Sequence, residues 1–571
     1  MQYCTYIIIQ STGAAMHLVM FETHGNQHYV FASPRLKENI GASYLLTQLE
    51  PWVRSASQQE GITLIDVSVS SGKVIVAVDS EDTARTLVGA VTRTALETAP
   101  GVDVTGVFIP MTSAHVMKED LEKVHAESAS YALTRPPASA RFCSMSFLEP
   151  GRDTLVPAVP SQASDASREV YSLPSAVARA EASTAREHLI SLASSHPKLM
   201  DRSEQLLPNL DALEKALDSL SKVAIIHLDG NGVGAMVRSL ADRLTLIPST
   251  VFQEQIKCDA ADPDALRLTL LALNKSLDDV MKGAFGDAWA AVADLAAREG
   301  VDVVPVVPVI LGGDDATVIT DGAFALPFAE AFLEAFEERT DADPVISSLS
   351  DDGKMTAGAG VAVVRHNFPF HLAYDLAERL ASWAKATGKR MDEPCSTLSY
   401  HILYDSTVLH PEELIASYAP FACEAETAQG VPAMTARPYR VLPGKEPTLP
   451  LSPPSANESW NAMRLRAAWF AGVCSAPGAL APMRFPKSRA ARIRKILSDA
   501  AHLSGREQRA HLAQASSEWN TAQSQRDLRV LADAIGSERL MLDLIDLAEL
   551  LPRTYLAKSV RLAASASEEL S

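Results

Sequence analysis

The sequence predicts an α+β fold: two halves of one design, then a C-terminal helical bundle. Three observations carry this. The order strand, helix, strand, strand, helix, strand is legible before residue 110 and again from residue 222. The second pass ends two strands on carboxylates, Asp229 and the Gly312-Gly313-Asp314-Asp315 turn. From Glu458 onward only helical periodicity remains. The repeated order is that of a ferredoxin-like unit.

In the first half, residues 3–10 form an apolar, strand-like run. Val30–Leu46 leads into a helix, with Pro34 near its first turn, where the missing N–H is harmless. Ile62–Ser70 and Val74–Val78 read as strands joined across Ser71-Gly72-Lys73, a hairpin signal. Glu81–Thr98 is helical, since Ala84, Leu87, Val88, Val91 and Leu96 recur near helical spacing. Val102–Ile109 is the last strand of this half.

Residues 135–182 are rich in Pro, Ser and Ala and read as an irregular connector, followed by a helical stretch over Ser183–Leu220. The second half opens with strand Val223–Leu228 and helix Gly234–Leu246. A helical insertion covers Pro263–Arg298. Val301–Ile310 and Ala316–Thr320 form the acidic hairpin. Helix Ala323–Arg339, strand Ala357–Arg365, helix Pro369–Thr387 and strand Leu398–Leu403 complete it. Pro443–Ser455 is a linker by composition. Helices follow over Trp460–Val473, Ser488–Leu503, Arg506–Thr521, Arg526–Ile535 and Leu540–Leu550, a small bundle. The expected domains are residues 1–134, a connector over 135–220, the second half over 221–442, a linker over 443–457 and the helical domain over 458–571.

Composition narrows the function. A chain of 571 residues has room for three or four domains. No run of 18 or more uncharged apolar residues occurs, so no transmembrane helix and no membrane partner are expected. The N-terminus lacks a basic n-region, so no signal peptide is expected and a cytoplasmic location is. The six cysteines lie far apart with no CxxC pair, which argues against a zinc ribbon or a disulfide framework. A net charge of −19 argues against a surface that coats nucleic acid. The densest basic run, Arg484, Lys487, Arg489, Arg492, Arg494 and Lys495, reads first as a solvated helix face and second as a phosphate contact or subunit interface.

The acidic strand ends carry the chemistry. Phosphoryl transfer asks the protein for positioning and for neutralisation of a triphosphate. Mg²⁺ (or Mn²⁺) held by carboxylates supplies both. Asp229, Asp314 and Asp315 are the candidate catalytic and metal-binding residues of a palm-type nucleotidyl transferase, with Asp229 and Asp314 as principal ligands. Gly230, Asn231, Gly232, Gly234, Gly312 and Gly313 are candidate nucleotide-binding positions, because bare backbone lets N–H groups approach phosphate oxygens. Lys385 is placed to reach the terminal phosphates. His227, inside a strand, reads as a packed core residue.

These residues resemble the large polymerase/cyclase subunit of type III CRISPR effector complexes. Tyr29–Ser43 is similar to the start of that family's first, inactive palm. His227-Leu-Asp-Gly-Asn-Gly-Val-Gly234 resembles the first acidic motif of its second palm, and Leu311-Gly-Gly-Asp-Asp315 its signature hairpin. Gly358-Ala-Gly-Val-Ala362, Ala377–Lys385 and Tyr400-His-Ile-Leu403 match later palm segments. The resemblance implies two palm domains, the second catalytic, with ATP sites at their interface and cyclic oligoadenylates as product in antiviral defence. It also implies RNA and small effector subunits as partners, the latter through the C-terminal helical domain. There are departures. No His-Asp dipeptide occurs, so a form without the HD nuclease domain is expected. Of the zinc-binding cysteines between the palms only Cys143 stands in that region. Asn231 stands where relatives often have Asp. Two other readings stay open: a catalytically weak palm-fold scaffold that binds RNA and protein partners, and a dinucleotide cyclase using GTP.

Overall fold

The structure, a computed structural model, describes residues 16–136, 138–142, 145–152, 154, 156–159, 170–194, 196–207, 213, 222–313, 315–404, 413, 435–445, 447, 451, 457–501, 503, 505–522, 526–535 and 540–557. In chain order its main elements begin with β1 (His17–His24), α1 (Leu36–Thr47), α2 (Leu49–Glu60), β2 (Ile65–Ser70) and β3 (Lys73–Val78). Next come α3 (Glu81–Thr98), β4 (Asp103–Pro110), α4 (Lys118–Thr134) and α5 (Leu173–Ser194). The second half contains β5 (Lys222–Gly230), α6 (Val233–Arg243), α7 (Ala265–Arg298), β6 (Val306–Gly312) and β7 (Asp315–Asp321). It continues with α8 (Gly322–Ala342), β8 (Ala357–Arg365), α9 (Phe370–Gly388), β9 (Ser396–Ile402) and β10 (Tyr439–Val441). The C-terminal helices are α10 (Trp460–Phe470), α11 (Lys487–Ala501), α12 (Gly505–Ala522), α13 (Arg526–Ile535) and α14 (Met541–Leu550).

Two compact units result. One comprises residues 1–185, 234–278 and 344–349; the other comprises 186–233, 279–343 and 350–571. The first holds a four-stranded sheet in the order β2-β3-β1-β4. Its central strand β1 pairs antiparallel with β3 and β4, and Leu18–Phe21 are fully buried. The expected strand at residues 3–10 lies outside the described residues. The strand at His17–His24 was not expected, because His17, Glu22, Thr23 and His24 dilute its apolar pattern. Helix α3 starts where expected: the Ser80 hydroxyl accepts from the Thr83 N–H at 3.2 Å, with Glu81 and Asp82 in the first turn. That cap satisfies one orphan donor and the acids suit the helix dipole. Its inner face, Ala84, Leu87, Val91 and Ala95, is buried.

The second unit holds a six-stranded sheet, order β10-β9-β8-β5-β7-β6. Read from β6 to β8, it repeats the order of the first sheet, with β9 added parallel to β8. Strand β5 is buried on both faces from Val223 to Leu228, so it reads as a continuous apolar run rather than an alternation. Each such Val or Ile contributes roughly 1.5–3 kcal/mol of burial. Helix α8 is buried along most of its length, and Asp321 caps it by accepting from the Ala323 N–H at 2.8 Å.

The C-terminal helices belong to this same unit. Two buried ionic clusters tie them in. Arg437 donates to Asp543 at 2.7 Å and to Asp546 at 2.8 Å, and lies 3.8 Å over the Tyr400 ring. Arg464 on α10 pairs with Glu330 on α8 at 2.5 Å, and the Tyr555 hydroxyl donates to the other Glu330 oxygen. Charges this deep are tolerable only because each is paired and hydrogen-bonded.

Candidate active site

Strand β5 lies between β7 and β8, and register fixes what meets at its end. Asp229 is directly opposite Asp315 on β7 and Gly358 on β8. Directly opposed residues share a face and hold their Cβ atoms about 5 Å apart. Two carboxylates therefore emerge together from one face of the sheet, at the mouth of the β6–β7 turn. Both are partly exposed. Like charges at that spacing repel and call for a cation between them.

Helix α9 covers this face, and glycine decides how closely. A Cβ on Gly360 would lie 2.0 Å from the Ala377 carbonyl oxygen and 2.3 Å from the Ala381 nitrogen. A Cβ on Gly358 would meet the Ala381 carbonyl oxygen and the Lys385 Cβ, both at 3.0 Å. Backbone thus packs on backbone, and Lys385 hangs directly over the strand ends. Its Nζ donates to Asp229 Oδ2 at 2.6 Å and to the Gly230 carbonyl oxygen at 2.7 Å.

One step deeper on the same face, His227 packs edge-on to Tyr374 of α9, ring centroids 5.6 Å apart. Its Nδ1 lies 3.2 Å from the Thr317 hydroxyl. Burial holds the imidazole below its ordinary pKa, so it stays neutral. A neutral, hydrogen-bonded ring at 4% exposure is a core residue that floors the site.

The turn after β5 is fastened from the side. The Asn231 N–H donates to the Thr356 carbonyl at 2.7 Å, and Asn231 Nδ2 donates to the Thr356 hydroxyl at 2.8 Å. Asn231 is buried, and its Oδ1 has no protein partner among the described residues. Gly232 has φ +88° and Gly313 has φ +64°, left-handed conformations that favour glycine. Gly312 pairs with Asp315 across the hairpin, and Gly234 lies in the first turn of α6. Asp314 lies outside the described residues, as does Cys143. The structure therefore brings together Asp229, Asp315, Gly230 and Lys385. Asn231 acts here as a brace. Sequence reasoning missed Thr356; no pattern marks it. It also did not read Gly358-x-Gly360 against Ala377 and Ala381 as a close-packing signal, although small residues two apart on a strand and four apart on a helix are one.

The first sheet has a counterpart at the same topological place. Glu22 near the end of β1 is opposite Lys73, the first residue of β3. Lys73 Nζ sits 2.7 Å from Glu22 Oε1, and the Ser128 hydroxyl of α4 donates to Oε2 at 3.0 Å. Burial pushes the Glu22 carboxyl up, but Lys73 and Ser128 outweigh it and hold the group below its usual range. The ammonium stands where the other sheet has Asp315.

The donor set of the second sheet suits a hard divalent cation: two carboxylates and a backbone carbonyl, all oxygen. Mg²⁺ is commonly held by one or two carboxylates plus substrate phosphates. Among the described residues no three His, Cys, Asp or Glu side chains gather as a ready-made cage. Most of the basic run is exposed, at Arg484, Lys487, Arg492 and Lys495, although three of its arginines also make ion pairs or hydrogen bonds. Arg492 pairs with Glu518 at 3.0 Å and Arg494 with Glu549 at 2.5 Å. Arg489 Nη1 donates to the Glu518 carbonyl at 3.2 Å.

Residues 222–392 match the family model described as Cas10/Cmr2, second palm domain. The chain carries a Cas10/Cmr2 second palm domain. The matched span runs from the first residue of β5 through α9, so it contains every residue of the site above. No curated protein matches the chain. Among solved structures, the chain is similar to a Csm1–Csm4 cassette in complex with cA4, at 10% identity and TM-score 0.47, covering 94% of this chain and 70% of that one. It is also similar to Csm1 of T. onnurineus, at 12% identity and TM-score 0.44, covering 96% of this chain and 69% of that one. The Csm1–Csm4 subcomplex of the type III-A CRISPR-Csm interference complex gives 12% identity and TM-score 0.46, over 94% and 70% of the two chains. Among the described residues no helix is long and apolar enough to cross a membrane.

Proposed function

We propose that this chain is a palm-type nucleotidyl transferase that condenses ATP into 3′–5′-linked cyclic oligoadenylates, as a subunit of a CRISPR type III-like defence complex in the cytoplasm. The observation that carries the reading is the register of Asp229 against Asp315 inside a matched Cas10/Cmr2 palm domain. Asp229, Asp315 and, from the sequence, Asp314 are the residues to hold Mg²⁺ or Mn²⁺. A bound cation would neutralise the triphosphate and favour the ionised 3′-hydroxyl.

The remaining work falls to the chain itself. Gly232, with nothing within 4 Å of where its Cβ would be, leaves room for phosphate oxygens to approach the backbone, while the Asn231 N–H is held by Thr356. Lys385, held over the strand ends by the glycine contact with α9, supplies a positive charge to the phosphates. The 3′-oxygen of one ATP forms a bond to the α-phosphorus of a second, the bond to pyrophosphate breaks, and the hydroxyl proton leaves to solvent. Neutral His227 takes no part in that transfer; it fixes the floor. The first sheet, with Lys73 in place of a carboxylate, is a non-catalytic palm. RNA and small effector subunits, engaged through the C-terminal helices, are the partners this role requires.

The test is mass spectrometry of products after incubation with all four NTPs and Mg²⁺ or Mn²⁺, with and without RNA from infected cells. Cyclic oligoadenylates, lost in the Asp314→Ala/Asp315→Ala protein, are expected. A blank under every condition, with no ATP bound in calorimetry, leaves a palm-fold scaffold as the reading.

A further inference from the structure

The Lys385 ammonium does more than lie near the site. It bridges a carboxylate oxygen of Asp229 and the carbonyl oxygen of Gly230, at 2.6 and 2.7 Å. A strand-end carboxylate plus an adjacent backbone carbonyl is the oxygen pair a hard divalent cation takes. The ammonium is therefore bound as a cation would be, on the same atoms. We propose that Lys385 is a built-in stand-in for the divalent cation, holding Asp229 until cation and nucleotide arrive together. The inference rests on the nucleotidyl-transferase reading and adds an order of loading to it.

Three features support it. The position is enforced, because Gly358 and Gly360 let α9 descend until Lys385 Cβ lies 3.0 Å from where a Gly358 Cβ would be. The charge arithmetic requires a counter-ion, because Asp229 and Asp315 face one another in register. The first sheet also holds its strand-end carboxylate with an ammonium, Lys73 Nζ 2.7 Å from Glu22. There the ammonium comes from the facing strand, opposite Glu22 in register, and Glu22 also accepts from Ser128. In the second sheet it comes from the covering helix and not from the facing strand, so Asp315 keeps the in-register place opposite Asp229.

The consequence is competition followed by cooperation. A bare cation must displace the ammonium from Asp229 without giving it a new partner. A cation arriving with a triphosphate brings that partner, and the released ammonium can settle on phosphate oxygens. Bare cation uptake is then weak, and uptake with nucleotide is strong.

Mn²⁺ titration by calorimetry, on the full-length protein, tests this without any turnover. Lys385→Met is expected to bind bare Mn²⁺ about tenfold tighter than wild type, the size of a typical coupling between two ligands. With an ATP analogue whose α–β bridge cannot be cleaved, that advantage should vanish or reverse. Gly360→Ala, whose Cβ would lie 2.0 and 2.3 Å from helix backbone and so lifts α9 with the lysine intact, should also tighten bare Mn²⁺ and guards against a fault peculiar to the Met variant. Equal or weaker bare-Mn²⁺ affinity in both variants, with melting temperatures showing both folded, overturns the inference and leaves the proposed function standing. If no version takes up Mn²⁺ even with the analogue, the metal–nucleotide reading falls and this inference falls with it.

Discussion

Gly360→Ala is the sharpest structural perturbation available at this site. The added Cβ would sit 2.0 Å from the Ala377 carbonyl oxygen and 2.3 Å from the Ala381 nitrogen. Heavy atoms pack best at about 3.5–4.0 Å, so α9 must retreat by more than about 1 Å. Neither neighbour is a flexible side-chain tip that can rotate away; both are helix backbone. Overpacking of this kind costs about 1–3 kcal/mol. For a unit of this size that is a fall in melting temperature of roughly 2–10 °C. The same retreat lifts Lys385 from Asp229, where it now donates at 2.6 Å. The assay is thermal unfolding followed by circular dichroism, alongside cation-dependent ATP binding. A loss in both is expected. A Gly360→Ala protein as stable as wild type, with unchanged ATP binding, would show that backbone contact does not set the height of α9.

Further outcomes follow from other parts of the fold. Arg437→Met leaves Asp543, which is fully buried, and Asp546 without their guanidinium. It should cost about 3–5 kcal/mol in urea unfolding, and pairing it with Asp543→Leu should recover part of that. His401 is pushed down to about 3, first by burial and then by Arg437. Its folded value lies below its unfolded one, so stability is intact above about pH 6.5 and lost as pH falls toward 3. Urea unfolding at pH 5 against pH 7 should show about 2 kcal/mol from this group, and His401→Gln should remove that share of the slope. Gly89 lies exposed in α3 with open space around its missing Cβ. Gly89→Ala should therefore stabilise by about 0.5–1 kcal/mol, read as a rise in melting temperature.

Local signals explain what could be read from the sequence. The apolar spacing of Ala84, Leu87 and Val91 marks α3, although Leu96 of the same pattern is exposed, and the Ser71-Gly72 turn marks the β2–β3 hairpin. Strand β1 was invisible because four of its eight residues are polar, and their partners lie in distant elements. The acidic strand ends were visible as residue types. Their register was not, because it depends on where the Gly312-Gly313 turn stops pairing. Lys385 was visible as a charge near a helix end, yet its partner is 156 residues away. Asp543 and Asp546 carry no local signal, and only tertiary structure turns them onto Arg437. The basic run is largely the solvated face of its first reading, while its ion pairs with Glu518 and Glu549 lie on other helices and have no local signal.

Calorimetry of ATP binding with and without Mg²⁺ bears most directly on the facing carboxylates. It should be run on wild type, Asp229→Asn and Asp315→Asn. Wild type is expected to bind ATP only when the cation is present. Each variant is expected to lose at least about tenfold, since each removes one of two facing ligands. Cation-independent ATP binding, or equal binding by all three proteins, would contradict a metal-holding role for the two carboxylates.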